Sequence, residues 1–322
     1  MKTRIQSTQD GQGFLDRLKA WFAMLVKDLR INKGLYLLAL PGFMFYILFH
    51  YAPMYGLTIA FKDYSQAYGI MGSPWVGLEH FKTFFGSIYS WQIIRNTLLI
   101  NLYSLIFYFP LPIVLALLLN ELRSQAYKKV VQTITYLPHF ISLVVMCGMI
   151  VNFVGPTGII TQFVNFLTGK NYVNLLHEAK FFRTIYIVSA LWKDIGWSSI
   201  IYLAAISGLD MEIYEAARID GAKKLRQLWH ITLPGIAPTI IILLIMQIGT
   251  MMTVGSDKII LLYNPVIYET ADVISSHVYR IGLVENNPCY SAAIGLFNSV
   301  INCALVYGAN WFSRKISETS LW

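Results

Sequence analysis

The chain has 322 residues, of which 56% are hydrophobic and 13% are charged, and its formal net charge is +8. Soluble domains carry about 25% charged residues, so this composition excludes an ordinary soluble protein and favours one embedded in a lipid bilayer. In a membrane protein, the placement of Lys and Arg indicates which segments face the cytoplasm. We therefore do not interpret the positive net charge as a sign of nucleic-acid binding, and we expect no nucleic-acid partner. The three cysteines show no metal or redox spacing, which favours a structural role for them.

The first segment, 1–33, is polar for about a dozen residues and continues as FLDRLKAWFAMLVKDLRI. Apolar residues recur there at helical spacing with Arg and Lys between them, which predicts a basic amphipathic helix lying along the membrane surface. A targeting sequence is the weaker alternative, because charges interrupt any apolar core. We expect 1–33 to be a cytoplasmic, interfacial segment.

Six stretches are long and apolar enough to cross a bilayer as helices, which takes about 20 mainly apolar residues. They are 35–57, 97–119, 132–154, 185–207, 235–256 and 291–312. Backbone polar groups within lipid must be satisfied inside the segment, so the predicted fold class is an all-α integral membrane protein. We expect a six-helix transmembrane domain over 34–313 and a cytoplasmic tail over 314–322. The apolar run at 259–267 is too short to cross, and it predicts an extracellular or re-entrant segment.

Six crossings place both termini on one side of the membrane. The segments that share this side carry 16 Lys and Arg in about 78 residues, against 7 in about 99 residues on the opposite side. Positive charge accumulates in cytoplasmic segments. The sequence therefore predicts a multi-pass protein with both termini, and the loop at 208–230, in the cytoplasm.

The loop at 208–230 has helical order. Its sequence MEIYEAARIDGAKKLRQLW is rich in helix formers and is interrupted once, at Gly221, where the chain can change direction sharply. Glu215, Ile219 and Ala222 fall at i, i+4 and i+7, which predicts that they share one helix face. The segment is therefore predicted to be a short helix-turn-helix, and a solvated linker is the alternative.

The spacing within this loop resembles the cytoplasmic EAA loop of ATP-binding-cassette (ABC) importer permeases. Three residues separate Glu215-Ala216-Ala217 from Gly221, and Leu233-Pro234 completes the pattern. The segments 76–85 and 93–122 are similar to the start of the permease core in carbohydrate-uptake members. The segments 257–283 and 313–322 resemble a branch that includes permeases for polysaccharide-derived oligosaccharides, such as alginate or pectin fragments.

The resemblance implies a type I importer permease fold of the bacterial cell membrane, with the loop forming a coupling helix that docks on a separate ATPase. The residues it assigns to this contact are Glu215, Ala216, Ala217, Arg218, Asp220, Gly221, Leu233 and Pro234. It also implies two cytoplasmic ATPases that bind ATP and Mg, a second related permease in a heterodimer, and an extracytoplasmic solute-binding protein that delivers an oligosaccharide. The chain has no G-x-x-x-x-G-K phosphate loop, so we expect no cofactor in it and no enzymatic activity of its own.

Two charged residues, Lys193 and Asp194, lie inside the fourth predicted span, where charge is costly and often functional. Adjacent helical residues point about 100° apart, so we expect one to face the substrate pathway and the other a neighbouring helix. Trp197 is a candidate platform for a sugar ring, and Asn298 a candidate partner for sugar hydroxyls. The alternatives are an interhelical ion pair, a headgroup position for the Trp ring, and an interhelical hydrogen bond for Asn298.

Other classes of membrane protein remain as alternatives. A membrane enzyme would need grouped acids, bases or metal ligands, but the six histidines are scattered and form no metal-ligand pair at helical spacing. An ion-coupled secondary transporter often shows repeated spans and buried acids, and here only Asp194 is a good candidate. An ABC permease for another solute is the nearest alternative to oligosaccharide uptake.

Overall fold

The computed structural model describes residue 24 and residues 27–253 and 255–317. It divides into two compact units, Met1–Thr58 and Ile59–Trp322. Within the described ranges the chain is almost entirely helical, without strands and with one isolated bridge between Lys62 and Trp75. The predicted all-α class is therefore confirmed. Most of the predicted amphipathic helix in 1–33, and the end of the tail from residue 318, lie outside the described residues.

The first unit is a long apolar helical segment. Its elements are the α-helices α1 (Lys33–Tyr46) and α2 (Ala52–Met54), joined by a π turn at Ile47–Tyr51. A 3-10 turn at Tyr55–Phe61 follows. None of the side chains of α1 is buried, although almost all are apolar, which suits a helix surrounded by lipid.

The second unit contains the remaining α-helices, which are named in chain order. They are α3 (Gly69–Gly72), α4 (Glu79–Gly86), α5 (Ser90–Tyr103), α6 (Pro110–Glu121), α7 (Gln125–Tyr136), α8 (Leu143–Val154), α9 (Ile159–Thr168), α10 (Ala179–Ser207), α11 (Met211–Ile219), α12 (Lys224–Gln227), α13 (Leu233–Gly249), α14 (Ser256–Leu262), α15 (Tyr268–Ala271), α16 (Ile274–Tyr279) and α17 (Pro288–Ser317). Short 3-10 turns lie at Leu137–Phe140, Leu175–His177, Met251–Thr253 and Pro265–Ile267, and π turns lie at Ser104–Tyr108, Leu228–Thr232 and Arg280–Val284.

Five helical segments of the described chain are long and apolar enough to cross a membrane. They are Lys33–Phe61, Ser90–Glu121, Leu143–Thr168, Lys224–Gly249 and Pro288–Lys315. The fourth predicted span, 185–207, lies within α10, which has 29 residues and is therefore long enough to cross. It is not among the five, because Lys193 and Asp194 make its middle more polar. The apolar run at 259–267 falls in the seven-residue α14 and the turn after it, too short to cross.

The third span starts later than the sequence predicts. The prediction was 132–154, but α7 ends at Tyr136 and a 3-10 turn follows, with Pro138 near its start. Ser142 then caps α8, since its hydroxyl accepts a hydrogen bond of 3.3 Å from the N–H of Val145. A proline followed by a capping serine begins a new helix, so the apolar segment runs over Leu143–Thr168.

Helix α10 is central to the buried core of the second unit. Its N-terminal half contributes Phe182 and Ile187 to one apolar cluster with α8 and α14. Its C-terminal half contributes Tyr202 and Ile206 to another, with α6 and α13. A third cluster, around Ile274, joins α5, α16 and α17. Because α10 packs along its whole length, the side chains on it are held in fixed positions.

Three π turns each lie shortly before a proline. Tyr51, Tyr108 and Thr232 end these turns, and in each case a proline stands two residues later. Proline lacks an N–H, and its ring clashes with the carbonyl four residues earlier. The wider π turn bonds the residue before the proline to the carbonyl five residues back, as in the 3.0 Å bond from Phe109 N–H to Ser104. The helices therefore continue through these prolines.

Candidate functional site

The loop between α10 and α13 forms two short helices joined by a turn. Asp210 begins α11, where its carboxylate accepts a hydrogen bond of 2.9 Å from the N–H of Glu212 and caps the first turn. The helix ends at Ile219, and Gly221 follows with φ of +76°. A Cβ at Gly221 would meet nothing within 4 Å, so the glycine is required by its backbone conformation and not by lack of space.

Side-chain bonds fix this loop to two helices. The hydroxyls of Tyr214 and Thr232 are 2.9 Å apart, which ties α11 to the π turn before α13. The ammonium of Lys224 forms a salt bridge with Glu121 at the end of α6. The loop is therefore held in place from both sides, although the salt bridge is exposed and contributes little on its own.

Both short helices carry exposed side chains. Glu215 and Ala216 are exposed, Ile219 is 87% exposed, and Leu225 of α12 is 74% exposed. We refer to these four side chains as the loop face. The prediction that Ala222 shares this face is wrong, because α11 ends before it and Ala222 is half-buried in the turn.

The remaining predicted coupling residues lie around the turn and at the start of α13. Arg218 is exposed, and its Nε donates to the carbonyl of Tyr214 at 3.3 Å. Ala217 is half-buried, and Asp220 is exposed.

Leu233 and Pro234 begin α13, where the missing N–H of proline is tolerated. Leu233 packs with the apolar cluster of α6, α10 and α13, and Pro234 is exposed. The next residue, Gly235, allows Leu209 to approach closely, since a Cβ there would lie 2.6 Å from its side chain.

Lys193 and Asp194 both bond to the 3-10 turn between α7 and α8. The ammonium of Lys193 donates to the carbonyls of His139 at 2.7 Å and Ile141 at 2.8 Å. The Asp194 carboxylate lies 2.8 Å from Nδ1 of His139. The prediction that the two would face different partners is therefore wrong. The lysine is long enough to reach the backbone of the turn while the aspartate meets its imidazole.

Trp197 lies between this histidine and an open cavity. Its indole stacks on the His139 imidazole, with ring centroids 4.4 Å apart and planes 3° from parallel, and it remains 45% exposed. The cavity beside it has a volume of about 490 Å³ and lies between α10, α13 and the π turn before α6. Its aromatic and polar lining side chains are Tyr108, Phe109, Trp197, Ser198, Tyr202, Gln247 and Thr250. Aromatic faces beside amide and hydroxyl groups can stack against a sugar ring and bond its hydroxyls.

Asn298 lies in a buried contact between α17 and the turn after α13. Its Nδ2 donates to the carbonyl of Met252 at 2.9 Å. One turn later, the amide of Asn302 donates to the carbonyl of Gly249. These contacts agree with the alternative interpretation of Asn298, in which its amide forms an interhelical hydrogen bond that stabilises packing.

Residues 108–318 match the family described as the binding-protein-dependent transport system inner membrane component. The chain belongs to this family. It is therefore an inner membrane component of a transport system that depends on a binding protein, and the resemblance to ABC importer permeases is confirmed. Membership decides against the membrane enzyme and the ion-coupled secondary transporter.

Two relatives from Bacillus subtilis (strain 168) align over nearly the whole chain. Protein LplB is 41% identical over 94% of this chain and 94% of its own length. The polygalacturonan/rhamnogalacturonan transport system permease protein YteP is 42% identical over 93% of both chains.

Solved structures of a permease complex match as well. A chain from the crystal structure of a bacterial ABC transporter involved in the import of the acidic polysaccharide alginate is 42% identical, with a TM-score of 0.84. The match covers 91% of this chain and 99% of that one. A structure of the alginate transporter in complex with an alginate pentasaccharide-bound periplasmic protein matches with the same TM-score and identity, over 92% and 99% of the two chains.

Several residues in and near the cavity beside Trp197 received no functional role from the sequence. His139 is the partner of Lys193, Asp194 and Trp197, and its only signal was a histidine beside Pro138 in an apolar stretch. Tyr108 comes from a distant segment and carried no signal beyond its aromatic type. Such partners become visible only once the packing of the helices is known.

A buried ionic cluster lies on the segment between α15 and the π turn at Arg280–Val284. Both guanidinium nitrogens of Arg280 donate to the Asp272 carboxylate, at 3.2 and 2.6 Å, and the Ser276 hydroxyl donates to it at 2.7 Å. Burial alone would raise the pKa of the Asp272 carboxyl, but hydrogen bonds from His277, Arg280 and Ser276 outweigh burial and hold the pKa below its usual value. Asp272 is therefore ionised and paired.

Proposed function

We propose that this permease is a subunit of an ATP-driven importer that takes up oligosaccharides delivered by an extracytoplasmic binding protein. The loop face carries the proposal, because it combines a charged side chain with exposed apolar side chains on a rigid helix pair. Grouped exposed apolar side chains mark a contact with another protein. The rigid attachment of the loop to α6 and α13 suits a contact that transmits movement.

The partner at the loop face is one of two separate cytoplasmic ATPase subunits, which bind the ATP and Mg. Glu215 is the charged anchor, Ala216 and Ala217 allow close approach of the partner, and Gly221 sets the turn. Arg218 and Asp220 border the contact. ATP binding closes the ATPases, and the docked loop then shifts the permease between inward-facing and outward-facing states. Such a shift can be no larger than the difference in ATP affinity between the two states. The loop must therefore be rigid, because deformation of the loop would reduce the part of this free energy that reaches the permease.

The assembled importer contains a second related permease, and we propose a heterodimer. Both termini and the loop face lie in the cytoplasm, in keeping with the distribution of Lys and Arg. The opposite side receives the solute-binding protein. The alginate transporter solved with its periplasmic protein supports this arrangement.

The substrate is an oligosaccharide from an acidic polysaccharide, and it passes the cavity beside Trp197. The alginate importer and the polygalacturonan/rhamnogalacturonan permease among the relatives support this class. Trp197 stacks on a sugar ring, while Asp194 positions the indole through His139. Lys193 and Asn298 hold two backbone segments in place: Lys193 bonds the turn before α8, and Asn298 bonds the turn after α13.

The proposal is tested in vesicles that contain the permease pair, the ATPases and the binding protein. Gly221→Pro and Glu215→Lys should leave the complex inserted in the membrane but abolish the ATP hydrolysis that substrate-loaded binding protein stimulates. Proline cannot adopt φ of +76°, and lysine reverses the charge of the anchor.

Two matched variants control for strain and charge. Gly169→Pro changes another helix-ending glycine with positive φ, and Glu79→Lys reverses an exposed charge on another short helix. Both lie on the side predicted to be extracytoplasmic and should keep the stimulation. Unchanged stimulation in the Gly221 and Glu215 variants would reject the coupling role, and proton-driven uptake by this chain alone would reject the ATP-driven importer.

A further inference from the structure

A second cavity lies along α10, closer to its N-terminus than the cavity beside Trp197. Its volume is about 420 Å³, and it lies between the start of α10 and the helical segment that runs from α5 to α6. The charged, aromatic and hydroxyl-bearing residues in the wall of this outer cavity are Lys180, Arg183, Tyr103, Phe107 and Thr184, and the rest of the wall is aliphatic.

The guanidinium of Arg183 is short of partners. One nitrogen donates to the amide oxygen of Asn96 at 2.9 Å, while Nε is buried and has no hydrogen-bond partner among the described residues. No carboxylate of the described chain forms a salt bridge with it. Burial lowers the pKa of the Arg183 guanidinium, although a hydrogen bond with Tyr103 and the charge of Glu269 act in the opposite direction.

The second cation of the outer cavity is exposed and has partners of its own. The Lys180 ammonium donates to the Tyr172 hydroxyl at 2.6 Å, lies 4.4 Å from the centroid of that ring and forms an exposed salt bridge of 3.9 Å with Glu178. The half-buried Arg183 guanidinium is therefore the cation of this wall that lacks a carboxylate partner among the described residues. A partly desolvated cation of this kind attracts an anion.

The outer cavity and the cavity beside Trp197 lie on the same face of α10. Arg183 and Ile187 of the outer cavity and Ser198 and Ile201 of the cavity beside Trp197 are spaced at i, i+4, i+15 and i+18, which brings them to one side of a helix. The 14 residues from Arg183 to Trp197 span about 21 Å at the rise of an α-helix. The opposing walls use neighbouring residues of one segment, since Phe107 lines the outer cavity and Tyr108 lines the cavity beside Trp197.

We propose that the outer cavity binds a carboxylate of an acidic oligosaccharide, with Arg183 as the main ligand and Lys180 as the second charge. A guanidinium holds a carboxylate through two parallel hydrogen bonds, and the ring of Tyr103 or Phe107 covers the sugar. This inference rests on the proposed function and names the residues that recognise the acid group of that substrate. An anionic lipid headgroup offers the same chemistry, but the position on the same face of α10 as the cavity beside Trp197 favours the sugar.

The test compares uptake of a galacturonate trisaccharide with uptake of the same trisaccharide after reduction of its carboxyls to alcohols. Arg183→Gln should raise the concentration of the acidic form needed for half-maximal uptake by about tenfold or more, because a charge-assisted pair is lost. Uptake of the reduced form should be unaffected by this change. Arg183→Lys, which keeps the charge, should recover part of the loss.

Lys170→Gln is the matched control, since Lys170 is an exposed cation on the same predicted side and does not line the cavity. It should behave as the unchanged protein. An equal loss for both trisaccharides would assign Arg183 a structural role and overturn the inference. So would a loss that occurs in vesicles of anionic lipid but not of zwitterionic lipid, which identifies a headgroup as the occupant. Failure of the unchanged complex to take up either trisaccharide would instead reject the proposed function.

Discussion

His139 and Trp197 stack face to face, with ring centroids 4.4 Å apart, although 58 positions separate them in the chain. The histidine is itself held by Asp194 at 2.8 Å and, through its carbonyl, by Lys193 at 2.7 Å. One face of the indole is therefore covered by a fixed imidazole. Costly intramembrane charges here orient an aromatic ring beside a cavity.

Replacement of Trp197 should weaken sugar transport. We expect Trp197→Ala to raise the substrate concentration for half-maximal uptake by about tenfold, which is the order of energy that one aromatic contact supplies. Trp197→Phe should lose less. The control is Trp192→Ala, because Trp192 is on the same helix and is 43% exposed against 45% for Trp197, but lines a different, apolar cavity. Equal effects of the two alanine variants would contradict the role of Trp197.

A milder change at the loop turn should reduce coupling without abolishing it. A residue with a Cβ in the left-handed conformation costs about 1–2 kcal/mol, so Gly221→Ala strains the turn while leaving its surroundings free of clashes. We expect substrate-stimulated ATP hydrolysis to fall several-fold. Gly169→Ala places the same strain at the end of α9, where φ is +64° and space is also open, and should keep normal stimulation. A similar fall in both variants would indicate general destabilisation.

The buried ion pair of Asp272 and Arg280 should dominate local stability. Removal of one partner from a buried pair typically costs about 3–5 kcal/mol, so we expect Asp272→Asn to lower the unfolding temperature markedly. Glu285→Gln is the control, because Glu285 is exposed and its oxygen lies 3.9 Å from the same arginine. Equal unfolding temperatures for the two variants would show that burial of the pair is unimportant.

The same pair predicts a pH dependence. The pKa of Asp272 is lower in the folded protein than its usual value, so its stabilising contribution is present above the unfolded pKa of about 3.9. The contribution is lost as the pH falls below that value through the folded pKa. Unfolding measured from pH 6 downward should therefore show a loss of stability below about pH 4 that Asp272→Asn lacks. An identical pH profile for the variant would disprove the assignment.

Labelling of single cysteines should reveal the orientation of the loop face. Ile219→Cys, in a chain from which the exposed Cys303 has been removed, should react with a membrane-impermeant thiol reagent only from the cytoplasmic side. Leu283→Cys, at a position that is 74% exposed on the predicted opposite side, should react only from outside. Reaction of the Ile219 variant from outside would contradict both the orientation and the coupling proposal.

The sequence predicted elements that depend on local pattern. Apolar length located five of the helical segments that can cross a membrane, and the pattern around Gly221 predicted two short helices with a turn at the glycine. The resemblance predicted the family. These features depend on residues close together in the chain, so their signals are readable without tertiary structure.

Features that depend on packing could not be predicted. The break at 137–142 requires a short 3-10 turn in an apolar stretch, where hydropathy gives no warning of a boundary. The shared attachment of Lys193 and Asp194 depends on where that turn lies against α10. The outer cavity depends on Tyr103 and Arg183 meeting across 80 positions, which spacing along one helix cannot reveal.

The π turn at Leu228–Thr232 determines how a displacement of the loop travels. A proline that broke the helix at Pro234 would act as a hinge and absorb the motion of the loop. Because the π turn precedes the proline, the segment Lys224–Gly249 is one continuous helical segment of 26 residues. Thr232, at the end of the π turn, is hydrogen-bonded to Tyr214 of the loop. Under the proposed coupling, a displacement of the loop would therefore be transmitted along one continuous helix to Gln247, at the wall of the cavity beside Trp197.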